Sequence, residues 1–123
     1  MRAEPSVNSE RSRPAYKNHP LWIEAMSLTR AAYALSERLR GADPETSLRL
    51  RKAAVAVPAH VASALSAESG KRSEPMHAAR LALAEVARYA ARATGSSGNP
   101  LAAQARDLDR TVLFEFGAPG TSS

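Results

Sequence analysis

The sequence predicts an all-α protein: an up-down-up-down antiparallel four-helix bundle whose second helix is kinked by a proline and which assembles into a homo-oligomer. Two observations predict the bundle itself. Apolar residues recur at alternating spacings of three and four in four separate segments, and short breaks rich in Gly, Pro and Ser divide these segments. No segment shows the two-residue alternation of a strand. Short turns between helices favour antiparallel neighbours, and therefore a bundle.

The first helix is predicted from "NHPLW", with Asn18 or His19 as N-cap and Pro20 at the first helical position, to Gly41. Its apolar stripe is Leu21, Ala25, Leu28, Ala32, Leu35 and Leu39. A second stripe runs beside it: Trp22, Met26, Thr29, Tyr33 and Ser36. Together the stripes predict a wide buried face.

The other three helices are bounded by turn and capping residues. Asp43 caps a helix reaching about Ser69, Ser73 caps one reaching about Thr94, and Asn99-Pro100 opens a fourth that ends near Phe116. The inward residues of the third and fourth helices are Met76, Ala79, Leu83, Val86 and Ala90, then Leu101, Ala105, Leu108 and Val112. We therefore predict a flexible arm over 1–17, one bundle domain over 18–116 and a flexible tail over 117–123.

Pro58 lies in the interior of the second predicted helix. It removes one backbone hydrogen bond and clashes with the carbonyl four residues earlier, that of Ala54, at a cost of ~3 kcal/mol. The core stripe nevertheless keeps one phase across it: Leu50, Ala54, Val57, Val61 and Leu65. We therefore expect a continuous, bent helix that is held by contacts on both sides.

A second line of residues along this helix consists of small or uncharged side chains: Ala53, Ala56, His60, Ser63 and Ala67. A helix that carries no charge around its circumference is typically buried all round. We therefore predict that this line packs against another copy of the chain. The alternative is that these alanines reflect helix propensity and codon usage alone.

The formal net charge is +5, and it comes from the middle of the chain: residues 49–92 hold eight Lys or Arg against three Asp or Glu. The eight are Arg49, Arg51, Lys52, Lys71, Arg72, Arg80, Arg88 and Arg92. A basic surface attracts phosphates, and repetition in an oligomer multiplies weak contacts. These residues predict a nucleic-acid-binding surface, with a solvated arginine face as the alternative. Few aromatic residues accompany them, so sequence-specific reading is not expected.

The segment "LRKAAVAVPAHVASAL" (50–65) resembles the signature of the four-helix bundle proteins encoded in intervening sequences of bacterial 23S ribosomal RNA genes. Leu21-Trp22, Tyr33 and "LAEV" at 83–86 match further landmarks, so that the resemblance covers residues 16–115. It implies an up-down bundle that forms ring-like pentamers. A similar protein, the accessory variability determinant of diversity-generating retroelements, is a basic pentamer that engages a reverse transcriptase and nucleic acid.

The chain departs from that signature at its polar positions. His60 stands where the family has Asn, Ser63 where it has Glu, and Ala64 where it has Gly. The resemblance therefore implies the bundle and its basic entry. The basic surface predicts RNA or a nucleic-acid-handling protein as partner.

The residues predict no catalytic or metal site. His19, His60 and His77 have no carboxylate at ligand spacing, and no Ser/His/Asp constellation or phosphate-binding glycine loop is present. The chain has no cysteine, no signal-like segment and no long apolar run. We therefore expect a cytoplasmic, non-enzymatic protein without cofactor or membrane partner, with a protein-only adaptor as the alternative function.

Overall fold

The computed structural model describes residues 15–93 and 99–116. Within these ranges the chain is helical and contains no strand, as predicted: the helices are α1 (Pro20–Leu39), α2 (Pro44–Ser66), α3 (Ser73–Arg92) and α4 (Asn99–Phe116). Consecutive helices pack on one another, and α4 also packs on α1. None of the helices in the described ranges has the length and hydropathy needed to span a membrane.

A short 3-10 helical element lies before α1. Ala15–Asn18 forms a 3-10 turn that packs on α1 and α2, and the rings of Tyr16 and Trp22 meet edge to face with centroids 5.6 Å apart. This turn occupies the end of the predicted arm. The rest of the arm (1–14) and the predicted tail (117–123) lie outside the described residues.

The helix starts follow the predicted capping chemistry at two of the three positions that the structure describes. The His19 Nδ1 accepts a hydrogen bond from the Leu21 amide at 3.1 Å, and an Asp43 carboxylate oxygen accepts one from the Thr46 amide at 3.1 Å. The prediction for Ser73 is wrong. Ser73 is the first residue of α3, and Arg72 occupies the cap position without a side-chain capping bond.

The first α1 stripe and the stripes predicted on the other three helices form most of the core. Each of their residues is buried except Leu65 and Met76, which are partly buried and pack against the core. On the second stripe of α1, Thr29 and Ser36 are buried, whereas Tyr33 is 41% exposed. The buried face of α1 is therefore narrower than predicted.

Pro58 is buried inside an uninterrupted α2, which confirms that the helix continues through it. The lost amide would have bonded to the Ala54 carbonyl. That oxygen instead lies 3.0 Å from the Thr29 hydroxyl of α1, which is also 2.9 Å from Ala25 O. In a regular helix the Thr29 amide already donates a hydrogen bond to Ala25 O. The Ala54 carbonyl is thus the acceptor that needs the hydroxyl proton.

A second buried hydrogen bond joins the same two helices. The Ser47 hydroxyl donates to Ser36 O at 2.8 Å, and the Ser36 hydroxyl donates to Tyr33 O at 2.9 Å. Both serines are fully buried. Because their side chains are short, α1 and α2 can approach closely at this point.

Candidate nucleic-acid interface

Three of the eight predicted basic residues converge on one tyrosine. Arg88 Nη2 lies 3.4 Å from the Tyr89 hydroxyl, and the guanidinium carbons of Arg88 and Arg92 lie 5.1 and 6.0 Å from the centre of its ring. Arg49, on α2, approaches the Tyr89 hydroxyl, on α3, closely enough that each of the two side chains shifts the pKa of the other. We call Arg49, Arg88, Arg92 and Tyr89 the Tyr89 cluster. It joins the beginning of α2 to the end of α3.

The cluster presents its charge to solvent around a buried ring. The side chains of Arg49 and Arg88 are 54% and 62% exposed, whereas Tyr89 is 7% exposed. The hydrogen bond from Arg88, followed by the one from Arg49, lowers the pKa of Tyr89 below its usual value because both favour the phenolate. The guanidiniums of Arg88 and Arg92 lie within the distance at which an aromatic ring attracts a cation.

Two acidic side chains reduce the local charge of the cluster. Glu45 Oε2 lies 3.0 Å from Arg49 Nη2, and Glu85 Oε2 lies 4.0 Å from Arg88 Nη2. Both pairs are exposed, so each is weak in water and open to competition from a phosphate. Arg92 is exposed and makes a ring contact with Tyr89.

An open pocket of about 330 Å³ borders the cluster and carries both signs of charge. Its lining residues are Asp43, Glu45, Thr46, Arg49 and Arg92. Hydrogen bonds from Thr46, with a smaller contribution from Arg92, lower the pKa of Asp43, so that this carboxylate stays ionised. The pocket is therefore close to neutral overall, because the guanidiniums of Arg49 and Arg92 are balanced by the carboxylates of Asp43 and Glu45.

Arg80 does not belong to a free basic stripe. Its Nε and Nη2 lie 2.8 and 3.2 Å from the two carboxylate oxygens of Asp109 on α4, a two-pronged contact. This pair raises the pKa of Arg80, and it joins α3 to α4. The predicted face shared by Arg80, Arg88 and Arg92 is therefore interrupted by a neutralised residue.

The other basic residues are spread over the bundle. Lys71 and Arg72 precede α3, a helix length (about 30 Å) away from Arg92, and Arg72 Nε donates to Ala67 O at 3.1 Å. Arg51 is partly buried, and its Nε makes no hydrogen bond within the described part of the chain. Lys52 is exposed on α2. The Tyr89 cluster is therefore the densest basic site among the predicted residues.

The predicted oligomer line on α2 lies beside α3. Ala53 is 4% exposed and belongs to the core, Ala56 packs against it, and His60 and Ala67 are partly buried; Ser63 is exposed. Arg49 begins the same line at helical spacing and reaches Tyr89 of α3. At 100° per residue, this line is therefore rotated by about a quarter turn around the axis of α2 from the side of the helix that lies opposite the core. Much of it lacks charge because its own bundle covers it.

Two residues of the candidate site, Tyr89 and Asp109, were not predicted from the sequence. Tyr89 organises the cluster, and a signal was present, because "RYAAR" places arginines one residue before and three residues after it. Asp109 neutralises Arg80, but that pairing depends on how α3 and α4 are aligned, for which the sequence offered no signal.

Within residues 15–93 and 99–116, no group of three or more His, Asp or Glu side chains is placed to hold a metal ion. Comparison with known proteins identifies no relative, since no family model, curated protein or solved structure matches the chain.

Proposed function

We propose that this protein is a non-enzymatic, homo-oligomeric four-helix bundle that binds nucleic acid, with RNA as the expected form, through the Tyr89 cluster. The observation that carries the proposal is the convergence of three exposed arginines from two helices on one buried tyrosine. Such guanidiniums suit phosphate oxygens, which they bind with charge-assisted hydrogen bonds. The contact is to backbone phosphates, and it positions the ligand without reading its sequence.

The up-down-up-down arrangement belongs to the proposal. It is supported by contacts that run in opposite senses along successive helices. Ser36 meets Ser47 whereas Thr29 meets Ala54, so residue numbers fall along α1 as they rise along α2. A ring, and a pentamer in particular, is carried over from the family resemblance. Native mass spectrometry measures the subunit number directly.

Binding is tested with a fluorescently labelled RNA hairpin titrated by anisotropy at several salt concentrations. The variant is Arg88→Ala/Arg92→Ala, and the matched control is Arg30→Ala/Arg38→Ala, which removes two exposed arginines of α1. If Arg88 and Arg92 each contact a phosphate, the slope of log K against log salt becomes shallower by about 1.4 to 1.8 in the first variant. The control pair keeps most of the original slope.

Two results would overturn the proposal. One is an affinity that does not change with salt, and the other is equal binding by the two double variants. A duplex DNA of the same length serves as a second ligand. Equal affinity for both shows that the cluster recognises phosphates alone, whereas a preference for RNA assigns a role to the 2′-hydroxyls.

A protein-only adaptor is the alternative function, and the pairing of Arg80 with Asp109 favours it, because this pair divides the basic surface. In that case the charge serves solubility, and a partner protein stays bound through purification after nuclease treatment. Loss of every partner on nuclease treatment argues for nucleic acid instead.

A further inference from the structure

The outermost face of α2 differs from the outer faces of the other helices. It consists of six exposed residues at alternating helical spacing, which we call the α2 outer face: Leu48, Lys52, Val55, Ala59, Ser63 and Ser66. The side chains of Leu48 and Val55 are 46% and 51% exposed. The chain carries no charge between Lys52 and Glu68. Most of this face is thus apolar or small, yet it lies directly opposite the core.

The same bundle shows what a solvated face looks like in this protein. Each of the other helices exposes at least four charged side chains: Glu24, Arg30, Glu37 and Arg38 on α1; Glu74, Glu85, Arg88 and Arg92 on α3; Arg106, Asp107, Arg110 and Glu115 on α4. Helix propensity and composition act on all four helices alike. On α2 the exposed charges, Glu45, Arg49 and Lys52, all lie in the first half of the helix, and none is present from residue 53 to 66. An uncharged helix face of this kind is typical of a packed one.

We propose that the α2 outer face is a twofold contact with a second copy of the chain, in which the two α2 helices pack antiparallel about an axis at Ala59. The proposal deepens the self-association included in the proposed function. The occupant follows from charge and size along the face. Lys52 precedes the uncharged part of this face and Glu68 lies just beyond it, so an antiparallel pair places each lysine near the partner's acidic end.

The side chains also fit this register. With Ala59 on the axis, Val55 faces Ser63 of the partner subunit, and Lys52 faces the partner's Ser66, next to Glu68. A branched side chain therefore meets a small one on both sides of the axis, as close packing of two helices requires. A parallel arrangement would instead place lysine beside lysine.

The contact is compatible with a ring. A cyclic assembly uses head-to-tail contacts, and twofold axes perpendicular to the ring axis join two rings into a dihedral particle. The two kinds of contact differ in one respect. A head-to-tail contact between neighbouring subunits joins two different patches, whereas a contact about a twofold axis joins the same patch of both subunits.

Cysteine cross-linking tests this directly, since the chain has no cysteine of its own. We expect Ala59→Cys to form a disulfide-linked dimer under mild oxidation, because two β-carbons at the axis lie within disulfide reach. The matched control is Ala103→Cys, an exposed alanine on α4, which is expected to stay monomeric on a non-reducing gel. No cross-link at residue 59 would overturn the proposal, whether the chain is a monomer or a ring.

A charge exchange tests the register. Sedimentation equilibrium of Lys52→Glu and of Glu68→Lys should each show dimer dissociation constants raised ~10-fold or more, because like charges then meet twice per dimer. The double variant Lys52→Glu/Glu68→Lys should restore the original constant. Failure of this rescue would refute the antiparallel register. Arg88→Ala/Arg92→Ala should dimerise normally, so loss of RNA binding and loss of the contact are separate outcomes.

Discussion

The hydrogen bond from Thr29 to the Ala54 carbonyl supports a specific prediction about Pro58. Replacing Thr29 with Val keeps the branched shape of the side chain and removes the hydroxyl. The Ala54 carbonyl then loses its donor from α1, and Pro58 has no amide to replace it. Leaving a buried carbonyl without a partner costs about 1 to 3 kcal/mol of the free energy of unfolding.

The cost should depend on residue 58, and this separates the argument from a general packing defect. In Pro58→Ala the amide of residue 58 can bond to Ala54 O along the helix. In that background Thr29→Val should lower the free energy of unfolding by a smaller amount than it does in the presence of Pro58. The difference should be about 1 kcal/mol or more. A double-mutant cycle of the wild type, both single variants and the double variant measures this coupling.

The assay is urea unfolding followed by far-ultraviolet circular dichroism, at one protein concentration, because self-association adds to apparent stability. Thr111→Val is the matched control. Thr111 is exposed, and its hydroxyl donates only within its own helix, to Asp107 O at 3.1 Å. It should change the free energy of unfolding by no more than about 0.5 kcal/mol. A coupling below about 0.3 kcal/mol would refute the role assigned to Thr29.

Three further predictions concern the core, the ion pair and the tyrosine. Leu50→Ala should lower the free energy of unfolding by about 2 to 5 kcal/mol in urea, because Leu50 is fully buried and its loss leaves a cavity. Arg80→Ala and Asp109→Asn should show a coupling of about 0.5 to 1 kcal/mol in a double-mutant cycle, and Arg80→Ala should leave the salt slope of RNA binding unchanged. Tyr89 should have a pKa below the usual value for tyrosine in a ¹³C tyrosine NMR titration, and this pKa should rise in Arg88→Ala. Because the folded-state pKa is the lower one, this ionisation stabilises the fold only at alkaline pH and contributes nothing once pH falls below it.

The helices and the core could be predicted because their signals are local. The three- and four-residue spacing of Leu21, Leu28 and Leu35 identifies a buried stripe without knowledge of any other helix. Capping by His19 and Asp43 depends on residues two or three positions away. Ser73 had the right chemistry for a cap, but the chain enters α3 one residue earlier, at Arg72.

The contacts within the candidate site were harder to predict from the sequence, because they depend on how the helices are aligned and rotated against each other. The sequence shows that Pro58 frees the Ala54 carbonyl, but a donor on α1 becomes visible only once the two helices are placed side by side. The same holds for Arg49 beside Tyr89 and for Arg80 beside Asp109. The line through Ala53 is a further example, since the rotation of α2 decides that Ala53 and Ala56 contact the chain's own core while Ser63 is exposed.

The dependence of α2 on α1 has a consequence for the order of folding during synthesis. With a proline in its interior, a peptide of residues 44–66 should show little helix in water, whereas a fragment of residues 15–66 should show clearly more. On the ribosome α1 leaves the exit tunnel first and is ready to act as a template for the segment that follows. A fragment that begins at Pro44 and proves fully helical by circular dichroism would contradict this order.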